Sequence, residues 1–219
     1  GDLKTELYHL RKLKSGNKIN RKLYDHTTGK FSDSKLVFPN KYIVYEGLHS
    51  MYGDLADIAD ISFYIEVEKS LKNEWKISRD TRKRGYSIDQ IVKTIESRKE
   101  DERKFIEPQR KKCDVILKFK KAHDGKIKLS FEYNDQSLTW LINKIKKLYS
   151  LLEEFIHVNK TISSKINLTQ NKGGNLSFKF DDVIIITESG SSFGEISYFE
   201  GFGFYDLQGN SVFEDFFFF

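Results

Sequence analysis

Two groups of residues carry the types and spacing that phosphate chemistry needs. In the first, Lys76, Arg79, Asp80 and Lys83 stand at i, i+3, i+4 and i+7. A helix would gather them on one face, as three cations around one carboxylate, with Leu71 and Trp75 on another. Fixed cations of this kind stabilise a transferred phosphoryl group, whose charge accumulates on its oxygens in the transition state. An arginine can also clamp a phosphate bidentately, which a lysine cannot. The same residues suit an ordinary solvated basic face, with Asp80 paired to Arg84 at i+4. The second group is the apolar run Tyr42-Ile43-Val44-Tyr45, which ends in Glu46-Gly47-Leu48-His49. Ligands gather at the carboxyl ends of strands in open α/β sheets, where an acid can hold Mg²⁺ or orient a hydroxyl near phosphate. A solvated strand-end acid fits the pattern too.

Other chemistries find little support. The glycines at 190–194 and 201–203 are not followed by lysine at phosphate-loop spacing and read as turns and strand bends. The motif Gly-x-x-x-x-Gly-Lys-Ser/Thr occurs nowhere in the 219 residues. His123 and His157 lack ligand-spaced partners, which argues against zinc. The single cysteine, Cys113, reads as a buried or idle thiol. No nucleophile elbow is present to suggest a hydrolase.

The elements that must position these residues follow from local pattern. Leu3, Leu7 and Leu10 behind Asp2, with Gly16 as a stop, predict an amphipathic helix over 3–14. Residues 42–45 predict a buried strand, 51–59 a short helix and 61–67 a second strand. Helical patterns follow at 68–83, from Ser87 as N-cap to about Arg98, and at 101–112; a short strand is expected at 115–119. Alternating strands and helices imply a mostly parallel sheet covered on both faces. After Ala122 the character changes. A strand is expected over 126–133, a long helix over 137–157, alternation around Gly173-Gly174-Asn175 and short strands in the tail. A boundary near His123-Asp124-Gly125 divides a domain over residues 1–122 from a module over 123–219.

Charge follows the same division. Residues 1–124 hold 28 Lys/Arg against 20 Asp/Glu, and residues 125–219 hold 9 against 12. The basic half is the one to meet an anionic partner, either nucleic acid or a phosphorylated small molecule. No apolar run approaches the roughly 20 residues of a membrane span, and no leader pattern opens the chain, so the expectation is a cytoplasmic protein without a membrane partner.

Taken in order, Tyr24 to Gly29 with His26, Val44 to Tyr52 with Glu46 and His49, residues 61–67, Trp75 to Asp80 with Arg84-Gly85, Ser97-Arg98-Lys99 and Glu107-Pro108-Gln109 resemble the phosphoribulokinase and uridine kinase family over roughly residues 2–121. The resemblance implies a partial P-loop kinase fold, α/β with a mostly parallel sheet flanked by helices, followed by a smaller α+β module. It implies an ATP- and Mg²⁺-dependent transfer of a γ-phosphate to a hydroxyl of a sugar phosphate or nucleoside. It assigns Glu46 to Mg²⁺ and the phosphate site, and His49 to the lining of the same cleft. Lys76 and Arg79 lie near ATP or sugar phosphate, Arg84 closes over the site, and His26 faces the acceptor. Glu46, Arg79 and Asp80 are the expected catalytic residues; Lys76, Arg79 and Arg84 bind the nucleotide; His26, His49 and Arg84 bind the acceptor. Ser50 and Glu100 stand where relatives often carry proline. Without the phosphate loop and the family's base beside it, the chain alone is expected to be a poor kinase. The alternative is a non-catalytic binding or regulatory protein on the same scaffold, self-associating through its carboxyl-terminal module. Nucleic-acid binding is not expected, since no such motif accompanies the basic half.

Overall fold

A computed structural model describes residues 2–25, 30–165, 176–187 and 202–212. The chain divides into two compact units, one running to Gln136 and the other beginning at Ser137.

The first unit opens with helix α1 (Leu3–Lys14), whose first turn is capped by Asp2 accepting from the Lys4 amide at 3.1 Å. Gly16, at φ 79°, ends it where the sequence places the stop. Leu10 and Leu13 are its buried residues. An antiparallel hairpin follows, β1 (Ile19–Asp25) with β2 (Lys30–Val37). The sequence reading gave no strands here.

The central sheet has three strands in the order β3 (Phe63–Val67), β4 (Val115–Lys121), β5 (Ile127–Tyr133). β3 and β4 are parallel, with Phe63 opposite Val115, and β4 and β5 are antiparallel, with Leu117 opposite Phe131. A parallel pair needs a long crossover. It is supplied by α2 (Lys69–Arg84), α3 (Ile88–Ser97) and the turns after them. Leu71, Ile91, Val115 and Ile116 are buried, giving a mixed α/β layer. Helix α3 is capped by Ser87 as expected, and the cap is a full capping box: Ser87 Oγ accepts from the Gln90 amide, and Gln90 Oε1 accepts from the Ser87 amide at 3.0 Å. The compact unit runs past the composition change at 123–125 because β5 pairs with β4 along its whole length.

Three expectations need correction. Residues 42–45 form no strand; Tyr42 is 76% exposed and Val44 53%. Among the described residues no neighbouring strand offers them a ladder, and an apolar run without one does not hold a strand. The helix expected at 101–112 is instead a turn of α-helix, α4 (Lys99–Asp101), a π turn (Glu102–Ile106) and a 3₁₀ turn (Glu107–Lys112). Pro108 has no N–H to continue an α-helical ladder. The helix expected at 51–59 is a 3₁₀ turn, Gly53–Ile58.

The second unit contains a long helix, α5 (Thr139–Lys165), and an antiparallel sheet of β6 (Ser177–Phe180), β7 (Val183–Thr187) and β8 (Phe202–Asp206) in that order. Phe155 and Ile156 of α5 pack with Leu176, Phe178 and Phe202; the Phe155 and Phe178 rings lie 5.1 Å apart. This unit is a small α+β module. The turn expected at 173–175 lies outside the described residues. No helix among the described residues is long and apolar enough to cross a membrane.

Candidate functional site

The second half of α2 gathers three cations on a single acid. Asp80 is 2% exposed. Its Oδ2 accepts from Lys76 Nζ at 3.0 Å and its Oδ1 from Arg79 Nε at 2.8 Å; the Arg84 guanidinium lies 3.4 Å from Oδ1. Lys76, Asp80 and Arg84 follow at four-residue steps, so the helix stacks them along one row, and Arg79 reaches over from the neighbouring position. The sequence pairing of Asp80 with Arg84 is therefore present, and Lys76 and Arg79 join it. Nothing is described of the Lys83 side chain.

Electrostatics follow from this arrangement. Burial alone would raise the Asp80 pKa, but hydrogen bonds from Arg79 and Lys76 outweigh it and hold the carboxyl below its ordinary range. The acid is ionised at neutral pH with both oxygens committed to cations. Three cations against one carboxylate leave two positive charges in surplus. Arg79 and Arg84 are about half exposed, at 51% and 47%, so their remaining donors face solvent. The helix ends at Gly85, φ 67°, whose N–H donates to the Thr81 carbonyl, while the Tyr86 N–H donates to the Asp80 carbonyl.

The other expected residues lie on a loop. Glu46 is exposed and makes no hydrogen bond or ion pair among the described residues. It follows an irregular stretch rather than a strand end, so its placement differs from the sequence expectation. His49 is exposed, with its ring edge-on to Tyr52 at 6.2 Å. Turns carry this loop forward: the Ser50 amide donates to the Gly47 carbonyl and the Tyr52 amide to the His49 carbonyl. Met51, 6% exposed, roots it in the core. No hydrogen bond, ion pair or ring contact joins Glu46 or His49 to the Asp80 cluster among the described residues, and His26 lies outside them.

Sequence reasoning quoted Gln109 only as part of a motif. In the structure it is 5% exposed, and its carboxamide bonds Met51, Leu48 and Phe105 of the backbone. A glutamine after proline in a polar stretch carries no local signal of this role.

Neither ATP nor Mg²⁺ is contradicted by the donors present. The surplus charge and solvent-facing arginines suit a phosphate group. No cluster of three or more metal-ligating side chains occurs among the described residues. Glu46 could supply a single ligand, and Mg²⁺ is commonly held by one or two carboxylates with the rest of its shell from phosphate and water.

Comparison with known proteins gives the family of the chain. The profile of the Phosphoribulokinase / Uridine kinase family matches residues 2–125. The chain is similar to the chloroplastic phosphoribulokinase of Spinacia oleracea, 38% identical over 106 residues, covering 48% of this chain and 26% of the relative. It is similar to the phosphoribulokinase of a Synechocystis species, 37% identical over 109 residues, covering 49% and 33%. The uridine kinase of Staphylococcus haemolyticus is 25% identical over 139 residues, covering 62% and 65%. The chain thus spans about a quarter to a third of the phosphoribulokinases it matches. Since the family profile covers more than half of the chain, and the Asp80 cluster and the Glu46 loop both lie inside the matched region, the chain belongs to the phosphoribulokinase/uridine kinase family.

Proposed function

We propose that the protein carrying this chain transfers the γ-phosphate of ATP to a hydroxyl of a sugar phosphate or nucleoside. The observation that supports this best is the cationic cluster on α2, with two positive charges in surplus and two half-exposed guanidiniums. Lys76 and Arg79 bind phosphate oxygens, and Arg84, at the helix end beside Gly85, closes over the bound group. Asp80 acts through these cations. With its lone pairs taken and its pKa lowered, it is a poor proton acceptor and serves as a positioning residue. Glu46 offers the ligand for Mg²⁺, His49 lines the same cleft and His26 faces the acceptor. ATP with Mg²⁺ supplies the phosphoryl group and neutralises part of its charge.

This chain by itself is proposed to be inactive, because its 219 residues contain no Gly-x-x-x-x-Gly-Lys-Ser/Thr to cradle the β- and γ-phosphates. The 1–122 region is proposed as the catalytic part, and the carboxyl-terminal module as a surface for self-association. The matching experiment measures ADP formation with uridine and with a ribulose phosphate, comparing the 219-residue chain with the longest natural polypeptide that contains it. Turnover by the longer polypeptide alone is the expected result. In it, Arg79→Ala should lower kcat/KM about tenfold, equivalent to about 1.4 kcal/mol. Transfer by the short chain would overturn the need for a phosphate loop. Silence of the longer polypeptide with both acceptors would replace the kinase reading with a non-catalytic binding protein.

A further inference from the structure

We propose that Gln109 is a positioning residue that clamps the 47–52 loop and so fixes where His49, and Glu46 just before the loop, are presented. The proposal deepens the kinase reading and rests on it for its role in turnover.

The clamp uses the carboxamide oxygen and both N–H donors of one side chain. Gln109 Oε1 accepts from the Met51 amide at 3.0 Å. Nε2 donates to the Leu48 carbonyl at 2.7 Å and to the Phe105 carbonyl at 2.7 Å. The partners also settle the orientation of the amide: reversing it would set donor against donor at Met51 and acceptor against acceptor at both carbonyls. The two loop contacts, Leu48 and Met51, bracket His49 and Ser50. The third contact, Phe105, belongs to the π turn (Glu102–Ile106), so the loop is fixed to the segment that leads into β4. Gln109 itself sits just after Pro108 in the 3₁₀ turn (Glu107–Lys112), which is buried at this residue alone.

The chemistry calls for glutamine specifically. Asparagine is one methylene too short to keep all three bonds from the same backbone position. Glutamate keeps the acceptor but loses both donors and would place a carboxylate against two carbonyl oxygens. Methionine keeps the length and volume and removes every bond. A neighbouring contact strengthens the clamp without duplicating it: the Tyr52 and Phe105 rings meet edge-on at 6.1 Å. The amide of Met51 has Gln109 Oε1 as its acceptor, so its exchange with solvent reads the clamp directly.

The test begins with the full wild-type chain. The Gln109 side-chain amide protons should exchange at least tenfold more slowly than those of the exposed Gln208; equal rates would overturn the clamp. In Gln109→Met and Gln109→Asn, exchange at Met51 should accelerate at least tenfold while the amides of β4 stay within twofold of wild type. Unchanged protection at Met51 would overturn the proposal, and so would uniform acceleration through β4, which would make Gln109 an ordinary core residue. In the longer, kinase-active polypeptide, Gln109→Met should lower kcat at least tenfold and leave the KM for ATP within threefold, since the α2 cations keep their own anchor in Asp80. Unchanged kcat with a loosened loop would refute the positioning role. If that polypeptide has no kinase activity, the function assigned above fails and the role in turnover with it, while the exchange rates still decide whether the clamp exists.

Discussion

Replacing Asp80 by Asn separates the structural work of the cationic cluster from its ligand chemistry. The substitution keeps the shape of the side chain and one carbonyl oxygen, which can still accept from Arg79. It turns an amide donor toward Lys76, where the carboxylate accepted at 3.0 Å. A hydrogen bond between charged groups contributes about 1.5–3 kcal/mol. The Lys76 side chain is only 26% exposed, so most of that contribution is lost. Arg79 and Arg84 are half exposed and regain water, which reduces their share to a few tenths of a kcal/mol each. The expected destabilisation at pH 7 is about 2 kcal/mol, or roughly 6–8 °C in the melting temperature of a unit this size.

Acid should erase the difference. The Asp80 carboxyl titrates below its ordinary value in the folded chain. Its stabilising contribution is therefore complete above the ordinary carboxylate range and is lost as pH falls through the lowered folded pKa. Wild type and Asp80→Asn should converge in strong acid. The chain has two tryptophans, Trp75 on α2 and Trp140 on α5, so urea unfolding in a Trp140→Phe background lets Trp75 report on the first unit alone. A difference below about 0.5 kcal/mol at pH 7 would refute the anchoring role, because surface substitutions of no consequence fall within that range. A difference that persists unchanged at pH 2 would refute the ionic origin.

Two further substitutions probe the frame that carries the cluster. Gly85→Ala meets no atom within 4 Å but must adopt φ 67°, so it should cost about 1–2 kcal/mol in the same Trp75-monitored unfolding; a neutral result would mean that the end of α2 relaxes. Ser87→Ala removes one half of the α3 capping box and should cost about 1 kcal/mol. Ser87→Gly should recover most of that loss, and equal losses for the two would show that the cap hydrogen bond is not the source.

Elements set by local chemistry were legible in the sequence. Asp2 and Gly16 bound α1, Ser87 opens α3 with the expected cap, and the apolar runs of β3 and β4 pair as parallel strands. The cationic row was legible for the same reason: helical spacing places Lys76, Asp80 and Arg84 together whatever the rest of the molecule does. What failed depends on partners remote in sequence. Residues 42–45 have the composition of a buried strand but lack a described neighbour to pair with. The β1–β2 hairpin has the opposite problem. Its strands pair with a register shift between Lys22 and Tyr24, yet of its residues with described side chains only Ile19 is buried, so no apolar alternation announces it. Gln109 was illegible because its three partners stand at 48, 51 and 105, and only the last of these is close in sequence.

The two candidate halves of the site are fixed by opposite means, and the difference has a physical reason. The α2 cations, proposed to bind phosphate, repel one another while no phosphate is present, and a buried carboxylate behind them relieves that repulsion. Because Asp80 neutralises one charge and leaves two, the row stays organised without losing its attraction for an anion. A carboxylate could not do the same for the 47–52 loop. It would add negative charge to the loop that follows Glu46, the acid proposed to bind Mg²⁺, and would face the carbonyl oxygens of Leu48 and Phe105, which need donors. A neutral carboxamide supplies an acceptor and two donors from a single position and leaves the local charge unchanged. With the roles proposed above, aspartate at 80 and glutamine at 109 each suit the charge their segment would present, a constraint that acts before any ligand arrives.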